Sequence, residues 1–80
     1  MDKTTVMERL NAIFQDIFDD ETIRVTEETT AADIEDWDSL AHITLIATIE
    51  KEFQMKFTMD EVGHLKNVGE MASIVMERAK

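Results

Sequence analysis

Cysteine and proline are absent from this sequence of 80 residues, and glycine occurs only at positions 63 and 69. Without Cys there is no disulfide to brace a small fold and no thiolate to ligate zinc, and the lack fits a reducing compartment. With no Pro and little Gly, few residues interrupt helices. Long apolar runs are missing as well. The opening MDKTTVMERL alternates charged and apolar residues at helical spacing, unlike the unbroken apolar stretch of a signal peptide. No later run approaches the ~20 residues of a membrane span. A cytoplasmic location without stable membrane insertion is the expectation. No repeat or low-complexity tract is present. Basic side chains are the last scarcity: 8 Lys and Arg stand against 18 Asp and Glu, a formal net charge of −10. Such a field repels nucleic acid and anionic lipid and attracts basic patches on other proteins, so a protein partner is expected and a nucleic acid is not. Acidity also serves solubility alone, and charge by itself does not choose between the two. The length fits one domain over residues 1–80, with a small core in which helix packing supplies the stability.

What is present is helical periodicity. Residues 4–18 place Val6, Met7, Leu10, Ile13, Phe14, Ile17 and Phe18 within an arc of about 140°. Thr5 and Glu8 have the spacing of a capping box that starts this helix. Residues 19–37 lose the period and collect Asp, Glu and Thr. They read as a long loop with at most a short helical turn, anchored to the core by Ile23, Val25 and Ile34. Their carboxylates lack the alternating ligands and central Gly of an EF-hand loop, so no specific metal site is expected.

A second helix starts near Asp38 or Ser39, with Asp38 as N-cap, and runs to about Phe53. Its apolar positions Leu40, Ile43, Leu45, Ile46, Ala47, Ile49 and Phe53 cover an arc of about 220°, wider than one core-facing stripe. Either Leu45, Ile49 and Phe53 face the core while Leu40, Ile43 and Ala47 serve a pocket or partner, or the helix is buried on most sides. Thr58 and Glu61 then form a capping box for a short helix that ends soon after Gly63, and Asn67 with Glu70 starts a last helix. There Val68, Met71, Ala72, Val75, Met76 and Ala79 share an arc of about 140°, with Phe57 and Leu65 pinning its approach. The 6 Met residues either adapt a pocket to a flexible guest or are ordinary helix filler.

Ser39 lies in the first turn of the second helix, beside unpaired N–H groups and the positive end of the helix dipole. That is a favourable place for a phosphate ester, although a serine here equally well only begins a helix. Ser39 and His42 also lie near one another on a helix. A nucleophilic serine needs an oriented base and an oxyanion hole, however, and no such set is visible, so the chain is not expected to be an enzyme. His42 borders the core or a partner face, and His64 sits at the surface or a helix end. Trp37 either closes the long loop onto the core or flanks a group carried by Ser39.

The order of amphipathic helix, long acidic loop, Asp38-Ser39-Leu40, acidic-tailed helix, short helix and final amphipathic helix resembles the acyl carrier protein family along almost the whole chain. The likeness rests on that three-residue motif, on Glu50 and Glu52 near the end of the second helix, and on size and acidity together. It implies an all-α four-helix bundle with a long first loop and a short third helix. It also implies that a phosphopantetheinyl transferase places a 4'-phosphopantetheine arm from coenzyme A on Ser39, between Asp38 and Leu40. An acyl group rides as a thioester on the arm's thiol, which lets a chain without Cys take part in thiol chemistry while catalysing nothing itself. By the same resemblance, Ile43, Leu45, Ile46 and Phe53 line a space for short or medium acyl chains. Acyl-loading and acyl-processing enzymes with basic patches meet Glu35, Asp36, Trp37, Ala41, Ile43, Thr44, Ala47, Glu50 and Glu52.

The chain departs from the family pattern at Ala41 and Thr44, where many fatty-acid carriers have acids, and at Lys51, which interrupts the acidic end. These departures point to a specialised fatty-acid, polyketide, modified-lipid or surface-polymer pathway in place of bulk fatty-acid synthesis. An aminoacyl, D-alanyl or peptidyl carrier shares the fold and the arm, but the Trp37-Asp38-Ser39-Leu40 context and the acidity favour acyl cargo. An arm-free helical interaction module is the alternative from another class, and it predicts that Ser39→Ala changes nothing. A monomer is expected, since one bundle can use all the apolar stripes.

Overall fold

A computed structural model describes residues 1–79. Among them the chain forms α1 (Lys3–Ile17), a single 3-10 turn (Ala31–Asp33), α2 (Ser39–Phe53), α3 (Met59–Gly63) and α4 (Val68–Arg78), with no strand. The first helix begins earlier than the Thr5–Glu8 spacing predicts. Asp2 is its N-cap, and the Asp2 carboxylate accepts the Thr5 N–H at 2.8 Å, which places Thr5 inside the helix. Asp caps at least as well as Thr, and the earlier start also brings Lys3 Nζ within 2.9 Å of Glu27.

The other helix starts follow their local chemistry. Asp38 caps α2 by accepting the Ala41 N–H at 2.8 Å. Thr58 and Glu61 form both halves of the capping box that opens α3. Asn67 caps α4, but the Glu70 carboxylate returns to the N–H of Lys66 and not to that of Asn67. Helix α2 ends on Gln54, whose left-handed φ of 51° turns the chain out of the helix.

Helix α1 packs against both α2 and α4. Val6, Leu10 and Phe14 of α1 meet Leu45, Ile49 and Phe53 of α2 and Val68, Met71 and Val75 of α4 in a fully buried cluster. Removing each such side chain from water stabilises the fold by about 1.5–3 kcal/mol. Helix α2 is therefore two-sided: Leu45, Ile46, Ile49 and Phe53 are buried, while Leu40 and Ile43 stand 73% and 63% exposed. Met76, expected on the core stripe of α4, lies at its edge and is exposed, and Ile74 packs against the core instead.

The long loop is fastened by polar groups as well as by buried Val25. Asn11 accepts the Val25 N–H at 2.7 Å and donates to the Val25 carbonyl at 3.3 Å, and Gln15 donates to the Ile23 carbonyl at 2.9 Å. At the loop's far end the Val68 and Gly69 N–H groups, which have no partner within α4, donate to the carbonyls of Thr29 and Glu27, both at 2.9 Å. The approach is close enough to require glycine: a Cβ on Gly69 would stand 2.9 Å from the Glu27 carbonyl oxygen.

Candidate functional site

Ser39 is the first residue of α2 and is exposed. Asp38 is spent on the helix start, with its carboxylate on Ala41 and its carbonyl accepting the His42 N–H at 2.9 Å. The N–H groups of Ser39 and Leu40 have no carbonyl one turn back to reach, so they remain available beside the serine hydroxyl. The partial positive charge of the helix start gathers at that spot.

Trp37 holds the loop immediately before this start. Its indole ring meets Phe14 edge-on, with centroids 5.2 Å apart, and touches Phe18 as well. Its N–H donates to His42 Nδ1 at 3.1 Å. Because Nδ1 accepts that bond, the neutral ring carries its proton on Nε2, which donates to the Val62 carbonyl at 3.0 Å. A chain of hydrogen bonds thus runs from the loop through α2 to the end of α3. Both ring nitrogens of His42 are occupied, so the ring offers no base to Ser39. Trp37 performs the loop-closing role and also borders the serine's surroundings.

Beside Ser39 lies an open cavity of about 460 Å³, bounded by Trp37, Asp38, His42, Ile43, Val62 and Gly63 among others. A second cavity of about 320 Å³, walled by Ile46, Ala47, Glu50, Phe57 and Met59, adjoins it across the shared residues Ile43 and Val62, and the two are the stretches of one groove along α2 and α3. A larger depression, about 590 Å³, lies instead at the C-terminal end of α2 around Gln54, Met55 and Lys56, away from Ser39.

Of the residues expected to line an acyl space, Ile43 and Ile46 do border this groove. Leu45 and Phe53 are fully buried in the core and border neither stretch of it, because at helical spacing they fall on the α1-facing side. Val62 and Met59 line the groove unforeseen, because α3 has five residues, too short to display an apolar stripe, and Phe57, expected to pin the last helix, lines it from the turn before α3.

Of the residues expected to meet partners, Glu35, Asp36, Ile43, Thr44, Ala47 and Glu52 are exposed, Trp37 and Ala41 half-buried. Glu52 lies 3.6 Å from Arg9. Glu50 is turned inward, where its carboxylate accepts the Phe57 N–H at 2.9 Å and fixes the turn between α2 and α3. On the far side of α3, Arg78 grips Glu61 through two hydrogen bonds of 2.5 and 2.6 Å. That fork, assisted by the Thr58 N–H, lowers the Glu61 carboxyl to about 2.

The family model for the phosphopantetheine attachment site matches residues 8–75. The chain is 30% identical over 73 residues to the acyl carrier protein of Phenylobacterium zucineum, covering 91% of this chain and 92% of that one. It is 27% identical over the same length to the acyl carrier protein of Caulobacter vibrioides, covering 94% of that protein. The solution NMR structure of the holo acyl carrier protein from Geobacter metallireducens superimposes with a TM-score of 0.86 at 42% identity, covering 91% of this chain and 84% of that one. These residues fit a covalently held phosphate ester at the opening of α2: a serine exposed to solvent, free N–H groups beside it and an open groove alongside. The chain belongs to the acyl carrier protein family, as a carrier that bears a covalent phosphopantetheine group and is not itself an enzyme.

Proposed function

We propose that Ser39 is the residue that bears the phosphopantetheine arm, and that residues 1–80 act as one acyl carrier domain in a specialised fatty-acid, polyketide or modified-lipid pathway. The observation that carries this reading is the position of Ser39, exposed at the first place of α2 directly after its Asp38 cap and open to the α2–α3 groove. Attachment joins the serine Oγ to the phosphorus of the arm as the nucleotide part of coenzyme A leaves, with the hydroxyl proton passing to the transferase. The thiol that the arm supplies holds an acyl group as a thioester. The chain's own residues do the rest. The Ser39 and Leu40 N–H groups would hold the phosphate, while Asp38 keeps the helix start in place and Trp37 holds the preceding loop on Phe14.

The groove between α2 and α3 takes the apolar end of short or medium cargo against Ile43, Ile46, Ala47, Phe57 and Val62. Leu45 and Phe53 back that wall from the core. Basic patches on a phosphopantetheinyl transferase and on acyl-loading and acyl-processing enzymes meet Glu35, Asp36 and Glu52, and the exposed side chains of Leu40, Ile43 and Ala47 add apolar contact. Ala41 and Thr44, uncharged where many fatty-acid carriers have acids, favour dedicated enzymes over those of bulk fatty-acid synthesis.

Intact-protein mass after incubation with coenzyme A and a broad-specificity transferase is the direct test, with Ser39→Ala alongside. The wild type is expected to gain one phosphopantetheinyl group and the variant none. A wild type that stays unmodified overturns the assignment and leaves Ser39 as a helix opener. Efficient elongation of the acyl form by housekeeping fatty-acid enzymes overturns the specialised role.

A further inference from the structure

Helix α3 is short and buries no side chain completely, so apolar packing alone does little to fix it. Polar ties hold it on two sides. The Arg78–Glu61 fork comes from α4 and borders neither stretch of the groove beside Ser39. The His42–Val62 bond comes from α2 and stands in the groove's wall.

Val62 needs such a donor. The amide one turn onward that would serve its carbonyl in a longer helix, Lys66 N–H, donates to Glu70 at 2.8 Å instead. His42 supplies the missing bond, and Trp37 makes the ring a reliable donor by engaging Nδ1 and so keeping the proton on Nε2. Val62 borders both stretches of the groove, so whatever fixes Val62 fixes the groove's width along its length. The same Trp37–His42 pair walls off a separate pocket of about 290 Å³ lined by Thr30, Leu65 and Met71.

We infer that His42 is a positioning residue that holds α3 against α2 as a wall of the acyl groove, and that it thereby determines how well apolar cargo is retained. The inference rests on the groove being the cargo site. The residues along the groove indicate the cargo class. Ile43, Val62, Ile46 and Phe57 offer hydrocarbon, and the one carboxylate in the inner stretch, on Glu50, is occupied by a backbone N–H. An unbranched alkyl chain long enough to pass Val62 feels the wall, whereas an acetyl group does not reach it.

The test has an arm that needs no arm or cargo. In the unmodified protein, His42→Leu removes both hydrogen bonds while keeping apolar bulk. Hydrogen exchange of the Val62 and His64 amides, which bond to Thr58 and Glu61, is expected to quicken about tenfold, with the amides of Leu10 and Ile49 unchanged. In the second arm, octanoyl and acetyl forms are made with the transferase, and their cleavage by hydroxylamine is timed. Wild type is expected to protect octanoyl relative to acetyl, and His42→Leu to remove most of that protection, about tenfold, with acetyl unchanged.

Trp37→Phe keeps the ring on Phe14 but loses the indole N–H, and it is expected to give the same pattern at about threefold. That variant decides the matter if His42→Leu does not fold. Equal acceleration of acetyl and octanoyl, or an octanoyl rate unmoved by either variant, overturns the role of His42. Equal acetyl and octanoyl rates in wild type overturn the groove as cargo site, and the inference falls with it.

Discussion

Phe14, Leu45 and Val75 lose all contact with solvent where α1 meets α2 and α4, whereas no side chain of α3 is fully buried. The first region is held by hydrocarbon removed from water, which is indifferent to direction and to pH. The second is held by a histidine, a carboxylate–guanidinium fork and a capping box, which act only at particular angles and protonation states. The contrast teaches how one small chain can be firm and adjustable at once. The α1–α2–α4 body keeps Ser39 in place while the α3 side, which walls the groove, answers to a few polar contacts.

Truncating the body should have the largest effect. Phe14→Ala is expected to destabilise by about 3–5 kcal/mol, read in a urea or thermal melt, because it opens a cavity among fully buried neighbours and removes the ring on which Trp37 rests. Val62→Ala, on the α3 side, should cost far less, and equal losses would erase the distinction between the regions. Gly69→Ala tests the seam where the long loop meets α4. Its new Cβ is forced onto the Glu27 carbonyl, so a loss of about 1–3 kcal/mol is expected in the same melt. Gln54→Gly, at the junction between body and α3 side, should stabilise by about 1 kcal/mol by relieving a left-handed residue, seen as a rise of about 4–8 °C in Tm.

The subtlest separation uses acid. Glu61 is held near 2 in the folded chain against an ordinary value of 4.5, so its fork contributes fully above about pH 4.5 and is lost as pH falls toward 2. Glu61→Gln should therefore flatten the stability–pH curve within that window and leave its slope above it unchanged. A curve with the wild-type shape would mean that α3 does not depend on the fork.

The sequence legibly encodes whatever is decided within one or two turns. The Asp38 cap, the Thr58–Glu61 box and the two-sided pattern of α2 all appear where residue spacing places them. The start of α1 misleads because two good caps compete three residues apart, and tertiary contacts between Lys3 and Glu27 accompany the one that wins. Contacts between distant segments were illegible. Nothing in the pattern tells that Asn11 will clasp Val25, or that Glu50 will serve Phe57 before any partner. Of the candidate site, the place of Ser39 behind its Asp38 cap could be read, as could Ile43 and Ile46 on the groove. Val62 and the bridge from His42 could not, because they depend on which residue of a very short helix comes to face α2.

The one tryptophan in the chain has a further consequence. Its indole lies two residues before Ser39, bonded to the imidazole that reaches α3, so the protein's tryptophan fluorescence originates entirely beside that serine. Emission wavelength and quenching then follow the polarity and contacts of that single ring. The protein has its own optical reporter, needing no added label, on events at the mouth of the groove.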